Sequence, residues 1–150
     1  GLRTVLWVSG CMHHCRGCQN PQTWDEKSGI PFDEAAKEEL FADLSRDYMD
    51  GVTFSGGDPL CPANRETVGR LIAEIRDRFP QKTIWLYTGD LFESFRDTLP
   101  FLPLIDVIVD GPYVEALRDV NLCWRGSKNQ RVIDVKKTLA TGKVVLWARN

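Results

Sequence analysis

Three cysteines, Cys11, Cys15 and Cys18, fall within eight residues in the loop SGCMHHCRGC at positions 9–18. Thiolates are soft ligands that select zinc, copper(I) or iron–sulfur clusters. Three thiols crowded into one turn bring a soluble domain no structural gain, so the spacing points to a metal centre. Three cysteines fill three corners of a cubane and leave one iron open for another ligand. Zinc is the alternative, with His13 or His14 as fourth ligand. Structural zinc sites usually draw their ligands from two separated segments, and one short loop wraps a tetrahedral ion poorly. A ferredoxin-like carrier would supply four cysteines per cubane. Cys61 and Cys123 stand alone, and neither has a claim to be the fourth. His13 and His14 read either as neighbours that tune such a cluster or as plain exposed loop residues, the second being the simpler reading.

A second chemical feature is the turn Gly56-Gly57-Asp58 before Pro59. Glycines permit close backbone approach to a ligand and positive φ, and a carboxylate can accept from an ammonium group. The same residues are also good turn formers, so the motif alone reads equally as the end of a strand. Thr88, Asp110 and the stretch Arg125–Gln130, with Asn129 in it, are weaker candidates of the same kind. Trp24 and Trp124 are candidate partner contacts.

These residues need elements to position them. Thr4–Ser9 reads as a buried strand feeding the cysteine loop, and 19–29 as polar loop. Phe32, Ala36, Leu40, Leu44 and Tyr48 recur on one helical face. Val52–Ser55 is a short strand ending at the glycine pair. After Pro62 a second helix carries Val68, Leu71, Ile72, Ile75 and Phe79, with Pro80 as its stop. Thr83–Thr88 and Asp106–Asp110 are further strands. Asp90 and Glu93 have capping-box spacing for a short helix through Phe95 and Leu99. Arg131–Val135 and Val144–Trp147 complete six strands.

Strands alternating with amphipathic helices predict an α/β domain with a mostly parallel sheet. Six strands are too few for a closed eight-stranded barrel, so an open, partial (β/α)6-type barrel is expected over residues 1–150 as a single domain. Ligands gather at the carboxyl ends of strands in such sheets. The cysteine loop, the glycine turn, Thr88 and Asp110 all follow strands, which would set them on one rim.

A formal net charge of −2 makes nucleic acid or an anionic membrane surface a poor electrostatic match. No apolar run approaches the ~18 residues that span a bilayer. An odd cysteine count with three clustered argues for a reducing, cytoplasmic setting rather than a disulfide framework. Residue 1 is Gly rather than Met, so part of the natural N-terminus is expected to be missing.

The C-x3-C-x2-C loop after a first strand, followed about forty residues later by SGGDP, resembles the radical S-adenosylmethionine superfamily. Within it, SGCMHHCRGCQNPQTW (9–24), SGGDPL (55–60), VDGPY (109–113) and WRGSKNQ (124–130) are similar to the activating proteins of anaerobic ribonucleoside-triphosphate reductase. The resemblance covers nearly the whole chain. It implies a radical SAM barrel in which Cys11, Cys15 and Cys18 hold a [4Fe–4S] cluster whose fourth iron chelates S-adenosyl-L-methionine. It implies reductive cleavage of that cofactor to a 5′-deoxyadenosyl radical, which takes hydrogen from a glycine of the reductase's glycyl radical subunit. A flavodoxin- or ferredoxin-type donor would supply the electron. Gly56, Gly57 and Asp58 would bind the methionyl amine, Asp110 the ribose, and Gly17, Cys18 and Gln19 would meet the cofactor mainly through backbone. Thr88 and Asn129 complete the implied cofactor contacts. Many superfamily members have Glu where Asp58 stands and an aromatic where Gly17 stands, so the adenine lacks an evident stacking partner. Activation of another glycyl radical enzyme, such as pyruvate formate-lyase, is the alternative within the same chemistry; a non-catalytic metal-binding module is the alternative outside it.

Overall fold

The computed structural model describes residues 1–18 and 21–148. Gln19 lies outside these residues. Among the described residues, five strands form one open sheet in the order β1-β2-β3-β4-β5. They are β1 (Leu2–Val8), β2 (Met49–Gly56), β3 (Thr83–Tyr87), β4 (Val107–Asp110) and β5 (Arg131–Asp134). The first four run parallel, and β5 is antiparallel to β4. The mostly parallel α/β architecture is as the sequence suggests, but the sheet has five strands rather than six. Residues 144–147 reach β5 only through the isolated bridge Ile133–Leu146, flanked by the bonds Asp134 N–H to the Val145 carbonyl and Trp147 N–H to the Val132 carbonyl. The edge residues pair too briefly to make a strand.

Helices α1 (Glu34–Leu44) and α2 (Pro62–Arg78) are the crossovers that parallel strands require. Asp33 caps α1, its carboxylate accepting from Ala36 N–H at 2.9 Å. Phe32 therefore lies before the helix and Tyr48 after it, 39% and 56% exposed, and neither joins the apolar face. Side chains alternate across the strands. Val52, Phe54, Ile84, Leu86 and Ile108 face the helices and pack with Leu40, Leu44, Leu71, Ile72 and Ile75 in the main core. Their neighbours Arg3, Val5, Trp7, Thr53, Ser55 and Tyr87 face the other way, onto an open cavity.

The one-turn helix α3 (Phe92–Phe95) starts without the Asp90 cap; Leu91 holds that position. A distant side chain does the capping instead, the Asp110 carboxylate accepting from Phe92 N–H at 2.8 Å. A last helix, α4 (Val135–Thr141), was not expected. It begins directly at the end of β5, capped by Asp134, which accepts from Lys137 N–H at 3.0 Å, and ends on left-handed Gly142.

Candidate functional site

Parallel alignment of β1 to β4 brings the loops that follow them to one rim, and the first three lock together. The glycine turn after β2 is pinned to the cysteine loop by Gly57 N–H donating to the Val8 carbonyl and Asp58 N–H donating to the Gly10 carbonyl, both at 2.7 Å. This contact explains the glycine pair. Gly56 has φ +105°, and a Cβ there would run into the Val8 carbonyl oxygen. One on Gly57 would lie 2.5 Å from the Gly10 carbonyl oxygen. Loop-on-loop packing alone therefore demands two residues without side chains. On the other side, Gly10 N–H and Cys11 N–H donate to the Thr23 and Trp24 carbonyls at 2.6 and 3.1 Å, which folds the segment after Pro21 against the cysteines.

Asp58 is the hub of the rim. It is 1% exposed, and four donors converge on its carboxylate. Leu60 N–H and the Thr88 hydroxyl donate to Oδ1, each at 2.9 Å. Gly89 N–H and His13 Nε2 donate to Oδ2, at 3.0 and 2.8 Å. The same His13 nitrogen lies 3.1 Å from Asp90 Oδ1, and Arg65 stands 3.7 Å from the other Asp90 oxygen. The hydrogen bond to Asp58 lifts the His13 pKa above the usual imidazole value, outweighing desolvation. Burial, and next the Asp58 charge, raise that of Asp90. His13 is thus no exposed loop residue. Its side chain is 26% exposed and fits over Gly89, where a Cβ would come within 2.5 Å of the ring. The sequence offered a signal, a glycine directly after a strand end, but nothing linked it to a histidine seventy-odd residues away.

The rim surrounds a cavity of about 790 Å³. Cys11, Cys15 and Cys18 line it together with Gly56, Gly57, Asp58 and Thr88. The segment after β4 folds back along its side with Tyr113, Trp124, Arg125 and Gln130. Trp124 meets Trp85 edge to face at 5.4 Å, and the Gln130 side chain accepts from Gly126 N–H and donates to the Gly111 carbonyl. Trp24 also lines the cavity, stacked on His14 at 4.4 Å, with its indole N–H buried and unpaired. Gly17 has φ +76°, and a Cβ there would lie 2.7 Å from Glu115 Cδ, so the space an aromatic neighbour would fill is taken by that glutamate.

Two candidates stand apart. Asp110 is fully buried and does not line the cavity; it accepts from Arg131 through both oxygens and caps α3. Asn129 donates to the Pro112 carbonyl at 2.7 Å, while its Oδ1 is buried without a partner. It too lies outside the cavity lining.

The donor set suits an iron–sulfur cluster better than zinc. Among the described residues, the one trio of His, Cys, Asp or Glu whose ligating atoms all lie within 4.8 Å of one another is His13, Asp58 and Asp90. The three cysteines are spread more widely around the cavity. Thiolates on one tetrahedral zinc would sit about 3.8 Å apart given Zn–S bonds of about 2.3 Å, whereas a cubane takes each on a separate iron. Burial pushes the Cys11 thiol up, a penalty that metal ligation removes because a coordinating thiol is deprotonated outright.

Such a rim is that of a domain built around one iron–sulfur cluster, and the family model described as a 4Fe-4S single cluster domain matches residues 1–133. The anaerobic ribonucleoside-triphosphate reductase-activating protein of Enterobacteria phage T4 is 46% identical over 132 residues, covering 88% of this chain and 83% of that protein. Proteins of the same name from Escherichia coli K12 and Haemophilus influenzae are 44% and 41% identical. These alignments cover 88% and 87% of this chain, and 88% and 86% of the relatives. The chain belongs to the family of anaerobic ribonucleoside-triphosphate reductase-activating proteins. No solved structure matches it. Among the described residues, no helix is long and apolar enough to cross a membrane.

Proposed function

We propose that this protein is a radical S-adenosylmethionine activase that installs a glycyl radical on an anaerobic ribonucleotide reductase. The observation that carries the reading is the meeting of three cysteines and the Gly56-Gly57-Asp58 turn on one 790 Å³ cavity. When bound, a [4Fe–4S] cluster and S-adenosylmethionine supply one-electron reductive cleavage and the abstraction of hydrogen from glycine. Cys11, Cys15 and Cys18 would hold the cluster, and the iron without a cysteine would be free to take the cofactor's amino and carboxylate groups. Asp58, with Thr88 orienting its carboxylate, would accept a hydrogen bond from that amino group. Gly17 and Cys18 would offer backbone to the rest of the cofactor. Asp110, spent on Arg131 and α3, supports the rim from beneath rather than touching ribose.

The inner sheet face and the segment 111–130 wall the cavity with Trp7, Tyr87, Tyr113 and Trp124. Apolar and aromatic walls keep water and stray hydrogen donors from a reactive centre. A cavity bounded on one side by an open sheet edge admits a loop of a large partner. The reductant is a flavodoxin- or ferredoxin-type protein, and the chemistry belongs to the cytoplasm of an anaerobically growing cell.

Anaerobic purification and iron analysis test the reading. The expected result is a brown protein with about four irons per chain that forms 5′-deoxyadenosine once reduced in the presence of S-adenosylmethionine. A colourless protein carrying one zinc, or a reduced cluster that leaves the cofactor intact, contradicts it.

A further inference from the structure

The Asp58 carboxylate has no room for another donor. Two oxygens offer about four acceptor sites, and Leu60 N–H, Thr88 Oγ1, Gly89 N–H and His13 Nε2 occupy them at 2.8–3.0 Å. Three of these donors are fixed by the turn and by the start of the loop after β3. His13 is different: it comes from the cysteine loop, its ring is 26% exposed, and a second acceptor, Asp90 Oδ1, already lies 3.1 Å from the same nitrogen. Gly89 leaves the space in which the ring sits.

We propose that His13 is an internal competitor for the amino site: it occupies Asp58 Oδ2 until a ligand's amino group displaces it, and Asp90 then holds it. This rests on the functional reading above, in which Asp58 receives the methionyl amine. The exchange conserves hydrogen bonds. Asp58 trades an imidazole N–H for an amino N–H, and His13 trades a shared bond for an undivided one to Asp90. Because His13 lies two residues from both Cys11 and Cys15, its release alters the loop that carries the thiolates. Ligand arrival is thereby reported to the cluster. His13 acts through Asp58 and is a positioning residue, with a cost to affinity built in.

Opposite signs make the idea testable in the reconstituted, reduced protein, with S-adenosylmethionine titrated against the cluster's electron paramagnetic resonance spectrum. His13→Ala is expected to keep its iron and bind S-adenosylmethionine about tenfold tighter, the scale of one hydrogen bond to a charged group. Asp90→Ala is expected to bind more weakly, because the displaced ring loses its acceptor. In the double variant the Asp90 effect should vanish, since a double-mutant cycle isolates the coupling. A purely electrostatic Asp90 would weaken binding equally in both backgrounds. His13→Gln, which can still donate, should return towards the parent affinity.

His13→Ala at parent affinity or weaker, with cluster intact, overturns the proposal and leaves the functional reading standing. So does an Asp90 effect that persists in the double variant. If His13→Ala loses iron, the comparison passes to Asp90→Asn, which keeps an acceptor for the displaced ring but no charge, against Asp90→Ala. Affinity near the parent in Asp90→Asn with weakening in Asp90→Ala supports the proposal; equal weakening in both, or none in either, overturns it. A parent protein whose reduced cluster ignores S-adenosylmethionine overturns both readings together.

Discussion

At the residue scale, the rim is held by contacts that tolerate little change. Gly56→Ala places a methyl against the Val8 carbonyl at φ +105°, and the left-handed backbone alone costs about 1–2 kcal/mol. Denaturant unfolding of the apo-protein should show a loss at least that large. Asp58→Ala leaves the Leu60 and Gly89 N–H groups and the Thr88 hydroxyl without their acceptor. Each buried orphan costs about 1–3 kcal/mol where water cannot reach it, so this variant should be less stable as well as unable to bind cofactor. Cys11→Ser, Cys15→Ser and Cys18→Ser should each lower the iron content sharply, whereas Cys61→Ser and Cys123→Ser, outside the cavity lining, should leave it unchanged. The cysteine spacing and the glycine turn could be read from sequence because both are local. The Asp58–His13–Asp90 contact could not, since it joins loops that only the sheet brings together.

At the element scale, the junction of α3, β4 and β5 rests on one buried charge. Asp110 is fully buried, and Arg131 is its counter-ion as well as a partner of Glu93 at 2.8 Å. Arg131→Ala strands that carboxylate, a change that costs about 3–5 kcal/mol for a buried pair; thermal unfolding should show a loss that Asp110→Leu in the same chain partly reverses. The Arg131 guanidinium holds the Glu93 carboxyl below its ordinary value. A depressed carboxylate contributes stability above its unfolded pKa of about 4.3 and loses it as pH falls through the folded value. Glu93 is half exposed, so the effect is a few tenths of a kcal/mol. Glu93→Gln should differ from the parent at neutral pH and converge with it in acid. The helix crossovers were legible from periodicity, and β1 to β4 from their apolar runs. Residues 144–147 carry the same apolar signature as a strand yet form one bridge, because pairing depends on the length of partner available. Asp90 had the spacing of a cap, but its carboxylate is drawn to His13.

At the scale of the whole molecule, one sheet serves two solvents. Its helix-facing side is continuous core, and its other side gives a half-open cavity that Arg3, bridging Thr53 and Thr83, lines together with Trp7 and Tyr87. Parallel order places four strand ends on one rim, which is why residues scattered from Cys11 to Gln130 share a site. That convergence followed from the βα pattern in the sequence. The wall supplied by the segment after β4 did not, since it has little regular structure to announce where it folds. The central claim is that this rim makes a radical for transfer to a partner's glycine. Its most direct test is electron paramagnetic resonance of the anaerobic, reduced protein mixed with S-adenosylmethionine and an anaerobic ribonucleotide reductase. The expected result is a glycyl radical signal on the reductase that requires all three cysteines; a reduced, cluster-loaded protein that cleaves no cofactor and yields no such signal would contradict the account.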